Sequence, residues 1–165
     1  MRNRRRGSTL IEFSLMAMPT LFMSITIVEC SIGMWEFSSM SNALAVAARY
    51  AASHGATCSQ NGNSCAVTLG NVANVIANTA PALNPAKLNV TLTTASGATT
   101  CNPLSSCQTS TATFPSGTDG AVGNDITISA TYKITNPLPM YWPPREDSDV
   151  SSHTLGAISR QRIQF

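Results

Sequence analysis

The residues with the clearest chemical potential lie where a basic leader meets an apolar segment. An arginine run at 4–6 is followed directly by Gly7 and Ser8, and the next acidic residue is Glu12. Glycine allows an extended backbone that a peptidase can take in without a side-chain clash. Cleavage after Gly7 would create an ammonium group at Ser8, about one helical turn before Glu12. A carboxylate at the start of a membrane helix needs a partner. The spacing therefore predicts that this amine, in the same or an adjacent subunit, neutralises Glu12.

The segment after the leader is long and apolar enough to cross a membrane. It runs from Phe13 to Met34, and about twenty such residues span the hydrocarbon core as a helix. Positive flanks stay on the cytoplasmic side, so we expect residues 1–7 to be a cytoplasmic leader, 8–37 to be the transmembrane part, and everything beyond to be exported. The chain without its leader has a net charge of about −2 and no basic patch, which argues against nucleic acid as a partner.

Several polar residues interrupt this span. We expect its serine and threonine hydroxyls to bond to backbone carbonyls or to reach another helix. Glu29 is predicted to be either an intramembrane acid, uncharged or paired across helices, or a residue near the periplasmic face that extends toward water. Glu36 is expected to be solvated at the membrane surface beside Trp35, an interfacial anchor. Cys30 is interpreted as a small apolar residue of the span.

An alanine-rich stretch continues the helix beyond the membrane. Alanine is the strongest helix former, so the pattern predicts one helix that continues through 38–55, with its end near Ser53, His54 and Gly55. Pro19 is expected to kink it. The distal part is longer than a membrane requires and must pack against something. Residues 56–165 would then form a small exported head.

Within the head, the pattern predicts one short helix and about three strands. Thr68 is expected to cap an amphipathic helix that Pro81 closes. Alternation of apolar and polar residues predicts strands at Leu88–Thr93, at Ile126–Ile134 and from about Ser152 to Phe165. Connections are expected at 57–66, at 95–123 and at the Pro-rich 137–144. The fold class is therefore α+β, a long helix with a small antiparallel sheet.

Four of the five cysteines form two local pairs in the sequence, Cys58 with Cys65 and Cys101 with Cys107. Sequence alone leaves three pairings open. Local closure is favoured because each pair brackets a polar loop. Neither spacing is that of a structural zinc site, and no histidine lies beside them. Disulfides indicate an oxidising compartment, which agrees with export.

An enzyme is not expected, and nothing in the sequence predicts a metal or another cofactor. The two histidines, His54 and His153, belong to no catalytic motif, and His54 is predicted to cap a helix end. Carboxylates in the second half of the chain match no calcium signature, and we expect them to lie in solvated acidic turns: Asp119, Asp125, Glu146, Asp147 and Asp149.

The leader junction resembles that of prepilin-type substrates, and within them the TadE-like pseudopilins of the tight-adherence (Flp) pilus. The likeness is closest over 5–55. The residues that carry it are Gly7, Glu12-Phe13, the Ile27-Val28-Glu29 triplet and the Asn42–Ala52 segment. Leu83–Thr91 and Ile126–Ile134 are similar more weakly. The glycine-to-glutamate spacing alone is weak, but an arginine run before it and an apolar helix after it strengthen the signal.

The resemblance implies processing by a prepilin peptidase between Gly7 and Ser8, with Glu12 needed for assembly. Its implied partners are other pilins and pseudopilins and an inner-membrane assembly platform. Tyrosine often follows the glutamate in the major pilins, which are very short. Phe13 and the sizeable head indicate a minor, tip or initiating component instead.

Two alternatives compete with this interpretation. One is a plain single-pass, membrane-anchored periplasmic protein. The other is a signal peptide removed at Ala43-Leu44-Ala45, which mimics a signal-peptidase site but lies far beyond the apolar run.

Overall fold

A computed structural model describes residues 5–54, 67–135 and 152–164 of the 165-residue chain. The predicted connections at 57–66 and 137–144 lie outside these ranges. The chain forms two compact units, Met1–Met34 and Trp35–Phe165. The first unit consists, in its described part, of the apolar beginning of one long helix.

Helix α1 comprises Arg5–Ala52, 48 residues in one element. The helix continues through Pro19, as membrane helices tolerate. It ends three residues before Gly55, close to the predicted position. Hydroxyl side chains along the span bond back to carbonyls of the preceding turn, for example Thr20 Oγ1 to the Met16 oxygen at 2.8 Å and Ser31 Oγ to the Ile27 oxygen at 2.7 Å. This is the first of the two arrangements expected for them.

Helix α2 comprises Leu69–Thr79 and begins at the predicted cap. The Asn71 backbone N–H donates to Thr68 Oγ1 at 3.1 Å, which satisfies one of the free donors of the first turn. Its buried face contains Leu69, Val72 and Ile76, the apolar positions of the amphipathic pattern. The α+β class is confirmed.

The sheet has four antiparallel strands, one more than predicted, in the order β2-β1-β3-β4. They are β1 Leu88–Thr93, β2 Ala98–Cys101, β3 Asp125–Thr135 and β4 Ser152–Arg162. The additional strand, β2, lies in the region expected to be a loop. That region also contains two short 3₁₀ helices, Leu104–Cys107 and Gly117–Gly120.

The core of the second unit lies between one face of the sheet and the two helices. The sheet contributes alternating residues, such as Val90, Ile128 and Tyr132, and α1 contributes small residues in its last part. Ala43, Ala47 and Ala51 are fully buried, and their small side chains permit the close approach predicted for this part of the helix. The largest fully buried side chains supply most of the burial free energy, at roughly 1.5–3 kcal/mol each: Met40, Leu44, Ile76, Leu88, Leu92, Leu104, Ile126, Ile128 and Ile163.

The first turn of α2 packs directly on the backbone of the 108–112 segment. The Leu69 N–H donates to the Ala112 oxygen at 2.7 Å, and the Gly70 N–H donates to the Ser110 oxygen at 3.1 Å. A Cβ at Gly70 would lie 2.6 Å from that Ser110 oxygen and 2.8 Å from the Gln108 oxygen. Both obstacles are backbone atoms, so neither can rotate away.

Gly70→Ala should therefore destabilise the protein. Alanine gains at most about 1 kcal/mol in helix propensity. Overpacking costs about 1–3 kcal/mol, and the shift also disturbs the two hydrogen bonds. We expect a net loss of about 1–2 kcal/mol in urea unfolding followed by circular dichroism.

Gly156→Ala is the matched control for this prediction. Nothing lies within 4 Å of a Cβ added at Gly156 in β4, so this variant should be neutral or slightly more stable. Equal stability of the two alanine variants would contradict the packing argument.

Candidate functional site

The leader junction lies within the first turns of α1. The helix begins at Arg5, so Gly7 and Ser8 have helical backbone. The extended backbone that glycine would offer a peptidase is therefore not the conformation in this structure. The first four N–H groups of a helix lack intrahelical partners, so unwinding this end breaks few hydrogen bonds. A peptidase would need to open only this end of the helix.

Glu12 is exposed on the same helix, four residues after Ser8. Residues four apart lie on one helix face, with a rise of about 6 Å between them. An amine created at Ser8 would therefore lie on the same face as the Glu12 carboxylate of its own chain. A neighbouring chain shifted along the helix axis by about one turn could also bring its amine to this carboxylate. The geometry is compatible with the predicted pairing.

The Thr9–Ala52 part of α1 is, by its length and composition, apolar enough to cross a membrane. Large apolar side chains in its first half are exposed, including Phe13 at 73% and Met16 at 76%. Such exposure is costly in water and favourable in lipid. This part of the chain is a candidate membrane span.

Two glutamates interrupt the exposed apolar surface. Glu29 and Glu36 are half-buried, and Glu29 Oε1 and Glu36 Oε2 are buried atoms without a hydrogen-bond partner among the described residues. Glu36 was expected to be solvated, and its half-buried side chain departs from that expectation. Trp35 is 62% exposed, and Cys30 is a free, exposed thiol.

The alanine string that mimics a signal-peptidase site lies inside α1. Ala43 and Leu44 are fully buried in the hydrophobic core of the second unit. Removal of the chain up to about Ala45 would take Met40, Ala43 and Leu44 out of that core. This burial weighs against the signal-peptide alternative.

His54 lies just after the end of α1. Its Nδ1 is 2.8 Å from the Tyr50 carbonyl oxygen and 3.0 Å from Ser53 Oγ, and its ring packs against Tyr50 at a centroid distance of 4.6 Å. An imidazole that donates to a last-turn carbonyl satisfies one of the free acceptors there. The geometry matches the predicted capping role. The side chain of His153 lies outside the described residues.

Asp119 is buried, so the prediction that it occupies a solvated turn is wrong. Its carboxylate accepts hydrogen bonds from the hydroxyls of Ser96 and Thr94, the latter at 2.6 Å, and from the Ser96 N–H at 3.3 Å. These bonds join the β1–β2 turn to the second 3₁₀ helix. The hydroxyls of Ser96 and Thr94 hold the pKa of Asp119 below its usual value, against the opposing effect of burial.

The lowered pKa of Asp119 predicts a pH-dependent contribution to stability. The folded state releases this proton more readily than the unfolded state, so the contribution is full above the unfolded-state pKa of about 3.9 and is lost as pH falls below it. Asp119→Asn should lower the unfolding temperature at pH 7. The difference from wild type should shrink as the pH falls below about 4.

Asp125→Asn is the control for the acid series. Asp125 forms an exposed ion pair with Arg160 at 2.6 Å, a type of contact that contributes little. Its unfolding temperature should stay near that of wild type at pH 7. A constant difference between Asp119→Asn and wild type from pH 7 to pH 3 would contradict the assignment.

The structure joins Cys101 to Cys107 by a disulfide with an S–S distance of 2.02 Å and a Cα–Cα distance of 5.7 Å. This is the local pairing that was favoured. The bond closes a loop from the end of β2 through the first 3₁₀ helix, where Leu104 is buried in the core. Cys58 and Cys65 lie outside the described residues. So do Glu146, Asp147 and Asp149.

Within the described residues, no three histidine, cysteine or acidic side chains are grouped so that they could hold a metal ion. The described residues form three polar clusters: the Asp119 cluster, the His54 helix end and the Asp125–Arg160 pair. In each of them the polar groups bond to one another and so have a structural role. The glutamates of α1 are different, because they lie in the part of the helix that is a candidate membrane span.

Comparison with known proteins gives no relative: no protein-family profile, curated protein or solved structure matches the chain.

Proposed function

We propose that this protein is a minor pilin or pseudopilin of a tight-adherence-type pilus, anchored in the bacterial inner membrane with its leader in the cytoplasm and its head in the periplasm. A prepilin peptidase would remove residues 1–7. The trimmed chain would then act in assembly, in initiation or at the tip, through contacts with other pilins and the assembly platform. The resemblance at the leader junction motivates this assignment.

One structural observation carries the proposal. A single helix has an exposed apolar surface in its first half and forms part of the hydrophobic core in its last turns, where Ala47 and Ala51 are fully buried. In the proposed function this helix would both anchor the chain and complete the core of the head. Processing that leaves it whole would act before its apolar part, which is where the glycine junction lies.

The charge of Glu12 also supports cleavage after Gly7. A carboxylate at the start of a membrane helix is expensive unless an adjacent cation neutralises it. Cleavage after Gly7 provides that cation as a new N-terminal amine. The leader arginines would orient the chain before cleavage, since basic flanks remain cytoplasmic.

The intact mass of the chain, purified from its own cells, tests the proposal. We expect the loss of residues 1–7 and the retention of everything after Ser8. The same chain expressed with its leader in cells without a prepilin peptidase should keep all 165 residues and serves as the control. An unprocessed native chain would leave a plain membrane-anchored protein, and loss of residues up to about Ala45 would indicate a signal peptide.

A further inference from the structure

Four residues along one side of the membrane-spanning part of α1 are less exposed than their neighbours. Phe22, Ile25, Glu29 and Gly33 are half-buried, whereas neighbouring Met23 is 70% and Ile27 61% exposed. The spacing of three, four and four residues places the four on one side of the helix. We call these four residues the Glu29 face.

One carboxylate oxygen of Glu29 is left without a hydrogen bond in the described part of the chain. Its Oε1 is buried without a hydrogen-bond partner among the described residues. Arg49 is the only basic residue of α1 after Thr9, and twenty residues of helix place it about 30 Å away along the axis. A carboxylate at this position in lipid is costly, and such residues in membrane helices generally face a partner.

We propose that the Glu29 face binds a transmembrane helix of a different protein, and that a lysine or arginine of that helix pairs with Glu29. Gly33 is one turn away, and no atom lies within 4 Å of a Cβ placed there, so a partner backbone can approach closely. A second copy at the same depth would instead set Glu29 against Glu29, and two ionised carboxylates there would repel. A basic partner lets the carboxylate keep its charge, so we expect such a partner in preference to a parallel homodimer.

The inference rests on the membrane anchoring within the proposed function, and not on leader cleavage. The two can therefore fail separately, because the mass of the native chain tests the cleavage and helix association tests the Glu29 face. Axial stacking of processed copies, with a Ser8 amine near Glu29, is a different arrangement that requires cleavage. Working with the unprocessed full chain excludes it.

The test uses the labelled full chain in lipid vesicles with synthetic leucine–alanine transmembrane peptides as partners. One peptide carries lysine at the depth of Glu29, and the other carries leucine there. Energy transfer should show that wild type binds the lysine peptide about tenfold more tightly than the leucine peptide, as expected for a polar contact between membrane helices. Glu29→Gln should remove most of that difference.

Two leucine variants test whether binding needs close approach at the Glu29 face in addition to the Glu29 carboxylate. Gly33→Leu should weaken binding of the lysine peptide at least about fivefold by blocking close approach. Ser31→Leu adds similar bulk at nearly the same depth on the opposite side of the helix, so binding should persist. Circular dichroism of each variant checks that the helix content is unchanged.

Three results would overturn the proposal. One is equal binding of the lysine and leucine peptides by wild type. Another is equal weakening by the Gly33 and Ser31 variants, which would mean that this face has no special part. The third is self-association of the full chain that is tighter than binding to the lysine peptide, which would make a second copy the occupant.

Discussion

Charge reversal at Glu12 should abolish incorporation of the protein into surface pili. In Glu12→Lys, the side chain would repel the N-terminal amine that we expect it to neutralise, and two cations would lie near the start of a membrane helix. An uncompensated charge within the bilayer costs about 3 kcal/mol, which corresponds to at least about a hundredfold less assembled subunit. The measurement is the amount of this protein in sheared surface pili relative to the amount in membranes.

Three controls make this result specific. The intact mass of Glu12→Lys should still show the loss of residues 1–7, because the variant is designed to affect pairing after cleavage. Glu12→Gln keeps the shape, removes the charge and should give an intermediate amount. Lys87→Glu reverses an exposed charge in the second unit and should assemble normally. Normal assembly of Glu12→Lys would refute the amine pairing.

Elements with a regular hydrophobic period could be predicted from the sequence. The cap at Thr68 and the strand Leu88–Thr93 coincide with the structure because their signals are local: a hydroxyl before an amphipathic run, and strict apolar alternation. The length of α1 also follows from local properties, since alanine-rich sequence after an apolar segment has no reason to break.

Strand β2 could not be predicted because its pattern is almost entirely polar. In Ala98–Cys101, only the cysteine is buried, and the strand owes its conformation to pairing with β1, such as Thr91 with Thr100. This pairing depends on a strand elsewhere in the chain, so the sequence of β2 itself does not indicate it. The disulfide at Cys101 then fixes the chain directly after the strand.

Asp119 was misplaced for a related reason. Asp119 is surrounded by glycine, serine and threonine, a composition typical of exposed turns. Its burial depends on the hydroxyls of Thr94 and Ser96, more than twenty residues earlier in the chain. The only local signal was the pair of hydroxyl side chains in the short turn after β1. Such hydroxyls can bind a carboxylate, but the sequence does not indicate which acidic residue they bind.

At Gly70, packing explains why a residue with a poor helix propensity occupies a position within a helix. Glycine in a helix costs about 1 kcal/mol relative to alanine, so propensity predicts that another residue would be better. The approach of the Ser110 and Gln108 oxygens reverses that preference. Only the tertiary contact explains the residue.

The second large effect is expected at Ala47, where the anchoring helix becomes part of the core. Ala47 is fully buried, and an aspartate there would place an unpaired charge among apolar side chains. Such a change costs about 3–5 kcal/mol, a large part of the 5–15 kcal/mol that typically stabilises a domain. Ala47→Asp should therefore make the second unit susceptible to proteolysis under conditions in which the wild-type protein resists.

Asn42→Asp is the matched control, because Asn42 is exposed on the same helix five residues earlier and the same acid is introduced. Both full-length variants, purified in detergent, would be compared by proteolysis over a urea series. We expect Asn42→Asp to resist like wild type and Ala47→Asp to be digested at a much lower urea concentration. Equal resistance would mean that the distal part of α1 contributes little to the core. Loss of the residues up to about Ala45 would then remove little of the core's stability, and the main structural argument against a signal peptide would be lost.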